Sequence, residues 1–331
     1  MGRYIVGAYA TSPNLFTWDE KSELVYFNML KELPLIRGLE LPFWGDSLHP
    51  FNDKWLLANL DPDWENVLTC VPGTMKCLEG DPYFGLASKN VKSRKKAIRF
   101  YMKALECVKI LKNQFGSNSI FAIHITSSPI INEHQVYANI DYFYSSLSEL
   151  ASWDWGDIQI LIEHCDSFNK NNINPQKGFL TLDEEINTII KINEKYDSNF
   201  GIVINWGRSS IECRSIKGPI KHIKAAIKHD VLSGLMFSGT TDNNNNLYGE
   251  WSDLHMPPKN YLNFQYFESE SLMSYENIKN TLVACNNYAL DYLGIKLLAF
   301  PDDSTIEKRI GINRNAMILL DHAIKYINKA E

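Results

Sequence analysis

Two carboxylates, Glu40 and Glu163, each emerge from an apolar run, Gly38-Leu-Glu-Leu-Pro42 and Ile158-Gln-Ile-Leu-Ile-Glu163. Two such groups at one rim can divide acid and base roles if their surroundings push them apart, or ligate a divalent cation through oxygen. His164 follows Glu163 directly. Consecutive strand residues face opposite sides, so only one of the two can enter a site, and Glu163 is expected to be that one. A structural ion pair or backbone cap is the alternative for either carboxylate.

Around these stand polar and aromatic groups suited to a small hydroxylated ligand. His124, inside Ala122-Ile-His-Ile-Thr126, reads as a satisfied core histidine or a substrate hydrogen-bonder. Asn205, Trp206 and Arg208 close another apolar run. Trp206 offers a platform for a sugar ring, Asn205 can donate and accept, and Arg208 can grip an anionic group bidentately. The alternative is a tryptophan capping the core and an arginine on a helix-end carbonyl. Ser238 and Trp44 end two further runs and complete the expected substrate-binding set. Asp253 and His255 lie two apart in a polar loop, a spacing suited to metal binding or to an oriented acid–base pair, though common by chance. The basic run Lys92 to Arg99 alternates with an apolar helical stripe and reads as a solvated face. The chain contains no GxSxG, Walker or HExxH motif.

The elements that must position these groups alternate along the chain. Eight short apolar runs recur: Tyr4 to Ala10, Ile36 to Phe43, Asn66 to Val71, Ile120 to Thr126, Ile158 to Glu163, Phe200 to Asn205, Leu232 to Ser238 and Ile295 to Phe300. Most are apolar on both alternating faces, as parallel strands covered by helices are. Helical patterns lie between them. Thr17 to Glu20 and Thr181 to Glu184 fit capping boxes. One helix is expected from Ser88 to a stop at Gly116, another from Ser274 to a stop at Gly294. The pattern predicts a single (β/α)8 TIM barrel over residues 1–331, with a long loop after strand 7, from Ser238 to about Ser274, as a lid, a binding loop or surface drift. A doubly wound open sheet is the competing architecture, but the first turn, Ala10-Thr-Ser-Pro-Asn14, lacks its glycine fingerprint.

Length and composition agree. A chain of 331 residues with 45% hydrophobic content can fill a barrel core. A formal net charge of −6 lacks the basic excess that phosphate backbones demand, so nucleic acid is not an expected partner. No run approaches a membrane span and no secretory signal opens the sequence, so the cytoplasm is the expected compartment. The six cysteines form no CxxC pair and read as reduced thiols, several of them within apolar runs.

The strand ends resemble the xylose-isomerase-like TIM barrels, a superfamily of sugar isomerases and epimerases, and within it a bacterial family of unassigned function. The likeness rests on Gly7-Ala-Tyr-Ala-Thr-Ser-Pro13, Gly38-Leu-Glu-Leu-Pro-Phe43, Pro72-Gly-Thr-Met75, Phe84-Gly-Leu-Ala-Ser88, Ile162-Glu-His-Cys-Asp166, Asn205-Trp-Gly-Arg-Ser209 and Phe237-Ser-Gly239. The resemblance implies one divalent metal held by acidic and histidine ligands from strands 5 to 8. Here only Glu163 matches. Asn205 stands where an acid is expected, Ser238 where histidine is common, and strand 8 ends in Ala299-Phe-Pro301. Either Glu163, Asp253 and His255 hold a metal between them, or the site works without one.

These residues imply a carbohydrate-like small-molecule substrate. The first expectation is an isomerase or epimerase with Glu163 as the acid–base group and Glu40 or His255 as its counterpart. A hydrolase or lyase using the Glu40/Glu163 pair and a non-catalytic sugar-binding barrel are the alternatives.

Overall fold

The computed structural model describes residues 3–14, 17–285 and 288–330. Eight parallel strands close a barrel in sequential order, β1 to β8, each hydrogen-bonded to the next and β8 to β1. They are β1 Tyr4–Val6, β2 Ile36–Pro42, β3 Asn66–Thr69, β4 Ile120–Ile125, β5 Gln159–His164, β6 Gly201–Asn205, β7 Leu232–Phe237 and β8 Tyr292–Ile295. The helices outside them are α1 Glu20–Lys31, α2 Asp53–Asn59, α3 Val71–Gly80, α4 Val91–Phe115, α5 Ile140–Ala151, α6 Leu182–Tyr196, α7 Trp206–Cys213, α8 Gly218–Lys228, α9 Tyr275–Val283 and α10 Ile306–Ala330. Among the described residues no helix is long and apolar enough to cross a membrane.

Alternation along each strand builds two cores. Ile5, Val67, Ala122, Leu161, Val203, Met236 and Tyr292 form one cluster, one residue from every strand except β2, and fill the barrel. Their neighbours, such as Ile123, Ile162, Ile204 and Leu235, belong to a larger cluster with the helices. Two cores separated by a pleated sheet follow directly from strands that are apolar on both faces.

Local signals set several boundaries. Thr181 and Glu184 make the reciprocal capping box that opens α6. Asn90 caps α4, and Gly116 ends it at φ +96°, a conformation that favours glycine. Other expectations shift. Asp19, not Thr17, caps α1, because its carboxylate accepts from the Lys21 amide at 3.2 Å. The helix begun at Ser274 ends after Val283, and Leu293 and Gly294 lie in β8. Strand β8 therefore starts earlier and finishes at Ile295, not Phe300. The apolarity of Leu297 and Ala299 comes from burial beyond the strand and not from the strand itself.

Candidate active site

Period-two alternation places the functional groups. Two residues beyond the apolar barrel layer, the inward faces carry Thr69, His124, Glu163, Asn205 and Ser238. Lys296 stands four beyond Tyr292, and Glu40 comes from the middle of β2. All seven are almost wholly buried. His164, one residue on from Glu163, faces the helix layer, where its two ring nitrogens meet Glu185 and Glu212.

Charge is concentrated at the centre. Lys296 Nζ lies 2.8 Å from Glu40 Oε1 and 3.6 Å from Glu163 Oε1. His124 Nδ1 sits between the same carboxylates, 3.4 Å from Glu40 Oε1 and 3.5 Å from Glu163 Oε2. Its Nε2 is 2.5 Å from the Tyr292 hydroxyl. Arg208 donates through Nη1 to Glu163 Oε1 at 2.5 Å and through Nε to Asp253 Oδ2 at 3.0 Å. Lys177 pairs with the same Asp253 oxygen, and His255 Nδ1 lies 3.2 Å from the other. A side chain at Gly7 would bring Cβ to 3.0 Å from both Glu40 Oε2 and Lys296 Cγ, so glycine leaves room for that pair.

These contacts set protonation. Burial pushes the Glu163 carboxyl up, but Arg208, Lys296 and His124 outweigh it and hold it well below the usual range. Burial would strip the proton from Lys296, yet Glu163 and Glu40 hold it as ammonium. His124 is likewise pushed up by the two carboxylates against its burial. His255 goes the other way, down to about 4, because burial outweighs Asp253. The centre is thus an ionised network with a neutral histidine at its edge.

Several of its atoms make no hydrogen bond among the described residues: Glu40 Oε2 and Asn205 Nδ2, and also Glu40 Oε1, Glu163 Oε2, His124 Nδ1, Asp253 Oδ1 and Lys296 Nζ, which have only the ion-pair contacts given above. Buried polar atoms are nearly always satisfied by protein or by ordered solvent, so such a concentration makes this rim the candidate site for a polar ligand. A cleft lined by Tyr9, Asn14, Glu40, Trp44 and His49, among others, reaches this centre. The buried Trp44 Nε1 is also unpartnered.

A profile described as Domain of unknown function (DUF4862) matches residues 5–312. The chain belongs to this family. Uncharacterized protein STM3670 of Salmonella typhimurium is 34% identical over 323 residues, covering 97% of this chain and 98% of that protein. Among solved structures, the zinc-bound IolI protein superposes with a TM-score of 0.59 at 10% identity, covering 98% of this chain and 99% of that one. A D-psicose 3-epimerase crystallised in the presence of D-fructose gives 0.57 at 12% identity, with the same coverage. An L-ribulose 3-epimerase gives 0.57 at 14%, covering 100% of this chain and 98% of that one. The fold neighbours of this DUF4862 member are xylose-isomerase-like.

Most residues singled out in this DUF4862 sequence converge on one rim. Glu40, His124, Glu163, Arg208, Asp253 and His255 form a connected network, and Asn205 and Ser238 border it. Asn205 Oδ1 accepts from the Ser238 hydroxyl at 2.8 Å and from the Arg208 amide at 3.3 Å, capping α7. Trp206 is the exception. It begins α7 one residue past the inward Asn205, so it turns to the helix layer, where its indole nitrogen donates to Thr281 at 2.9 Å. It cannot serve as the sugar platform, whereas half-buried Trp44 lines the cleft. Lys296, Lys177, Tyr9 and Tyr292 escaped the sequence reading. Lys296 did carry a signal, as a lone lysine between Ile295 and Leu297.

Glu40, His124 and Glu163 offer ligand atoms within 4.8 Å of one another, a grouping able to hold a metal. Lys296 Nζ contacts both carboxylates of that grouping, and Arg208 holds one of them. Across the site Glu40, Glu163 and Asp253 already face Lys177, Arg208 and Lys296, with His124 also set between two of the carboxylates. A divalent ion added beside a buried ammonium would meet strong repulsion. With Lys296 in this position, the residues present do not fit a resident divalent metal. Glu163, Asp253 and His255 do not share an open position either: Arg208 stands between Glu163 and Asp253.

Proposed function

We propose that this barrel is an isomerase or epimerase of a sugar or sugar derivative, moving a proton at the carbon beside a carbonyl. The observation that carries the reading is the juxtaposition of Glu40 and Glu163 around Lys296, with Oε2 of each carboxylate making no hydrogen bond among the described residues. Proton abstraction beside a carbonyl needs a base and a positive group where the enediolate oxygen develops. Glu163 and Glu40 are the proton-handling pair. Lys296 and the guanidinium of Arg208 supply the fixed charge, already oriented by the carboxylates they hold. His124, held in place by Tyr292, donates to the substrate from between the pair. Trp44 and Tyr9 line the approach, Asn205 and Ser238 border the ring hydroxyls, and neutral His255 is a proton carrier at the loop side. A ligand must displace part of the network, above all the Arg208 contact that keeps Glu163 weakly basic.

The carboxylate pair also admits a glycosidase reading, since its ligand oxygens approach within the close spacing of a retaining enzyme. That mechanism needs one carboxyl to act as an acid, whereas here a cation faces each of the two, Lys296 beside Glu40 and Arg208 on Glu163.

The test is solvent exchange. Incubation of the protein with a panel of ketoses and their derivatives in D2O should place deuterium at the carbon flanking the carbonyl of one substrate, read by NMR, and Glu163→Gln should abolish this with the fold intact. No exchange and no turnover across the panel would leave a binding barrel, and full activity in Glu163→Gln would remove that residue from the chemistry.

A further inference from the structure

A second cluster of ligand-type side chains lies outside the barrel, where α7 turns into α8. Glu212 and Cys213 are the last two residues of α7, and His222 stands on α8 after a short turn through Arg214, which takes up a left-handed conformation at φ +47°. The turn folds the helices back so that His222 Nε2 faces both groups, 3.6 Å from Cys213 Sγ and 3.7 Å from Glu212 Oε1.

Cys213 Sγ and Glu212 Oε1 both face His222 Nε2, and Cys213 Sγ is hydrogen-bonded to it. Glu212 Oε2 is occupied, accepting from the Ser167 amide at 3.0 Å and pairing with His164 Nε2 at 2.9 Å. Its Oε1 has no hydrogen bond among the described residues. His222 is only 3% exposed, and its Nδ1 lies 2.9 Å from Ser209 Oγ. With Nδ1–H donating to that hydroxyl, the Nε2 lone pair is directed at Cys213 and Glu212, the orientation that a partner behind a ligating histidine enforces. Cys213 is half-buried and free. All three line a solvent-reaching cleft with Asn169, Asp183 and Lys221.

Both separations from His222 Nε2 fit ligands of one metal. Zinc takes thiolate at about 2.3 Å and imidazole or carboxylate at about 2.0–2.2 Å. Tetrahedral angles then put sulfur and nitrogen roughly 3.5 Å apart, and nitrogen and oxygen roughly 3.4 Å. Charge agrees as well. His164 between Glu185 and Glu212 leaves this buried group with one surplus negative charge. A Cys213 thiolate adds a second, and a divalent cation cancels both. His164 itself has no lone pair to offer, because carboxylates occupy both of its nitrogens.

We propose that Glu212, Cys213 and His222 bind a thiophilic divalent cation of the zinc class, with water from the cleft completing the coordination. On binding, Cys213 gives its thiol proton to solvent and its sulfur lone pair to the metal. The ion clasps α7 to α8 and, through Glu212 and His164, braces the outer face of β5. The site is separate from the barrel centre, and the inference stands whatever reaction the barrel performs.

The test uses the full chain, stripped by a chelator and reloaded with Co2+ as the probe. Expected are about one ion per chain, removed by competing Zn2+, and the near-ultraviolet thiolate-to-cobalt charge-transfer band. Cys213→Ser and His222→Gln should lose the band, and Ser209→Ala should weaken binding by roughly tenfold. Cys107→Ser and Glu163→Gln should keep both band and stoichiometry. Circular dichroism checks that each variant is folded. Should Cys213→Ser fail to fold, His222→Gln and Ser209→Ala give the same readout. Absence of stoichiometric cobalt in the parent, cobalt bound without the thiolate band, or a band that survives in Cys213→Ser would each overturn the proposal.

Discussion

Arg208 holds Glu163 with one arm, Nη1 to Oε1 at 2.5 Å, and the loop residue Asp253 with another, Nε to Oδ2 at 3.0 Å. One guanidinium therefore joins strand β5 to the long connection after β7. Replacing Arg208 with Met should take one cationic partner from each of two buried carboxylates, which keep Lys177 and Lys296, and cost up to about 3–5 kcal/mol of stability. Arg208→Lys should recover only part of this, since an ammonium cannot span both partners. Urea titration of the three proteins checks the order, and a Met variant as stable as the parent would show that this pairing carries no weight.

Lys296 is the ammonium that contacts both carboxylates. Lys296→Met keeps the length of the stem and deletes the charge. If the ammonium stabilises an enediolate, turnover should fall by roughly 10²–10³, the usual effect of losing one such donor. The comparison is kcat on whichever sugar shows solvent exchange. A variant that loses substrate affinity alone, with kcat intact, would assign Lys296 to binding.

His164 makes a pH prediction. Glu185 on α6 and Glu212 on α7 flank it, and His222 on α8 packs edge-on with ring centroids 5.1 Å apart. Burial opposes its charge, but the two carboxylates raise it to about 10. The unfolded value is about 6.5. Because the folded value is the higher one, its contribution is fully present below about pH 6.5 and fades as pH rises towards 10. Urea unfolding between those limits should show a parent losing on the order of a few kcal/mol relative to His164→Gln. Parallel pH curves for the two proteins would contradict this.

The two tryptophans should separate cleanly. Trp206→Phe loses a buried hydrogen bond to Thr281 and some packing, so stability should drop by about 1–3 kcal/mol with KM unchanged. Trp44→Ala should raise KM and scarcely move the melting temperature. The opposite pattern would restore Trp206 as the sugar platform.

The barrel was legible because burial on both strand faces leaves a plain mark: short apolar runs that do not alternate. Period two showed that Glu163 and His164 could not both face inward, and the expectation that Glu163 is the inward one agrees with the structure. What escaped depends on distant partners. Trp206 looked functional because it sits at a strand end, but one step of alternation sends it to the helix layer. Lys296 was hidden by flanking Ile295 and Leu297, which extended the apparent strand across it and made Ala299-Phe-Pro301 look like the terminus. Cys213 and His222 were unremarkable in sequence because no short spacing links them, and only the α7–α8 turn brings them together.

The ammonium at the centre of the barrel has one more implication. A charge built into the polypeptide cannot be chelated, diluted away or exchanged for a competing ion. Its strength is also fixed at one unit, and it cannot gain or drop ligands during a reaction. Any chemistry assembled around Lys296 would thus be insulated from the supply of trace elements, in exchange for a gentler electrophile.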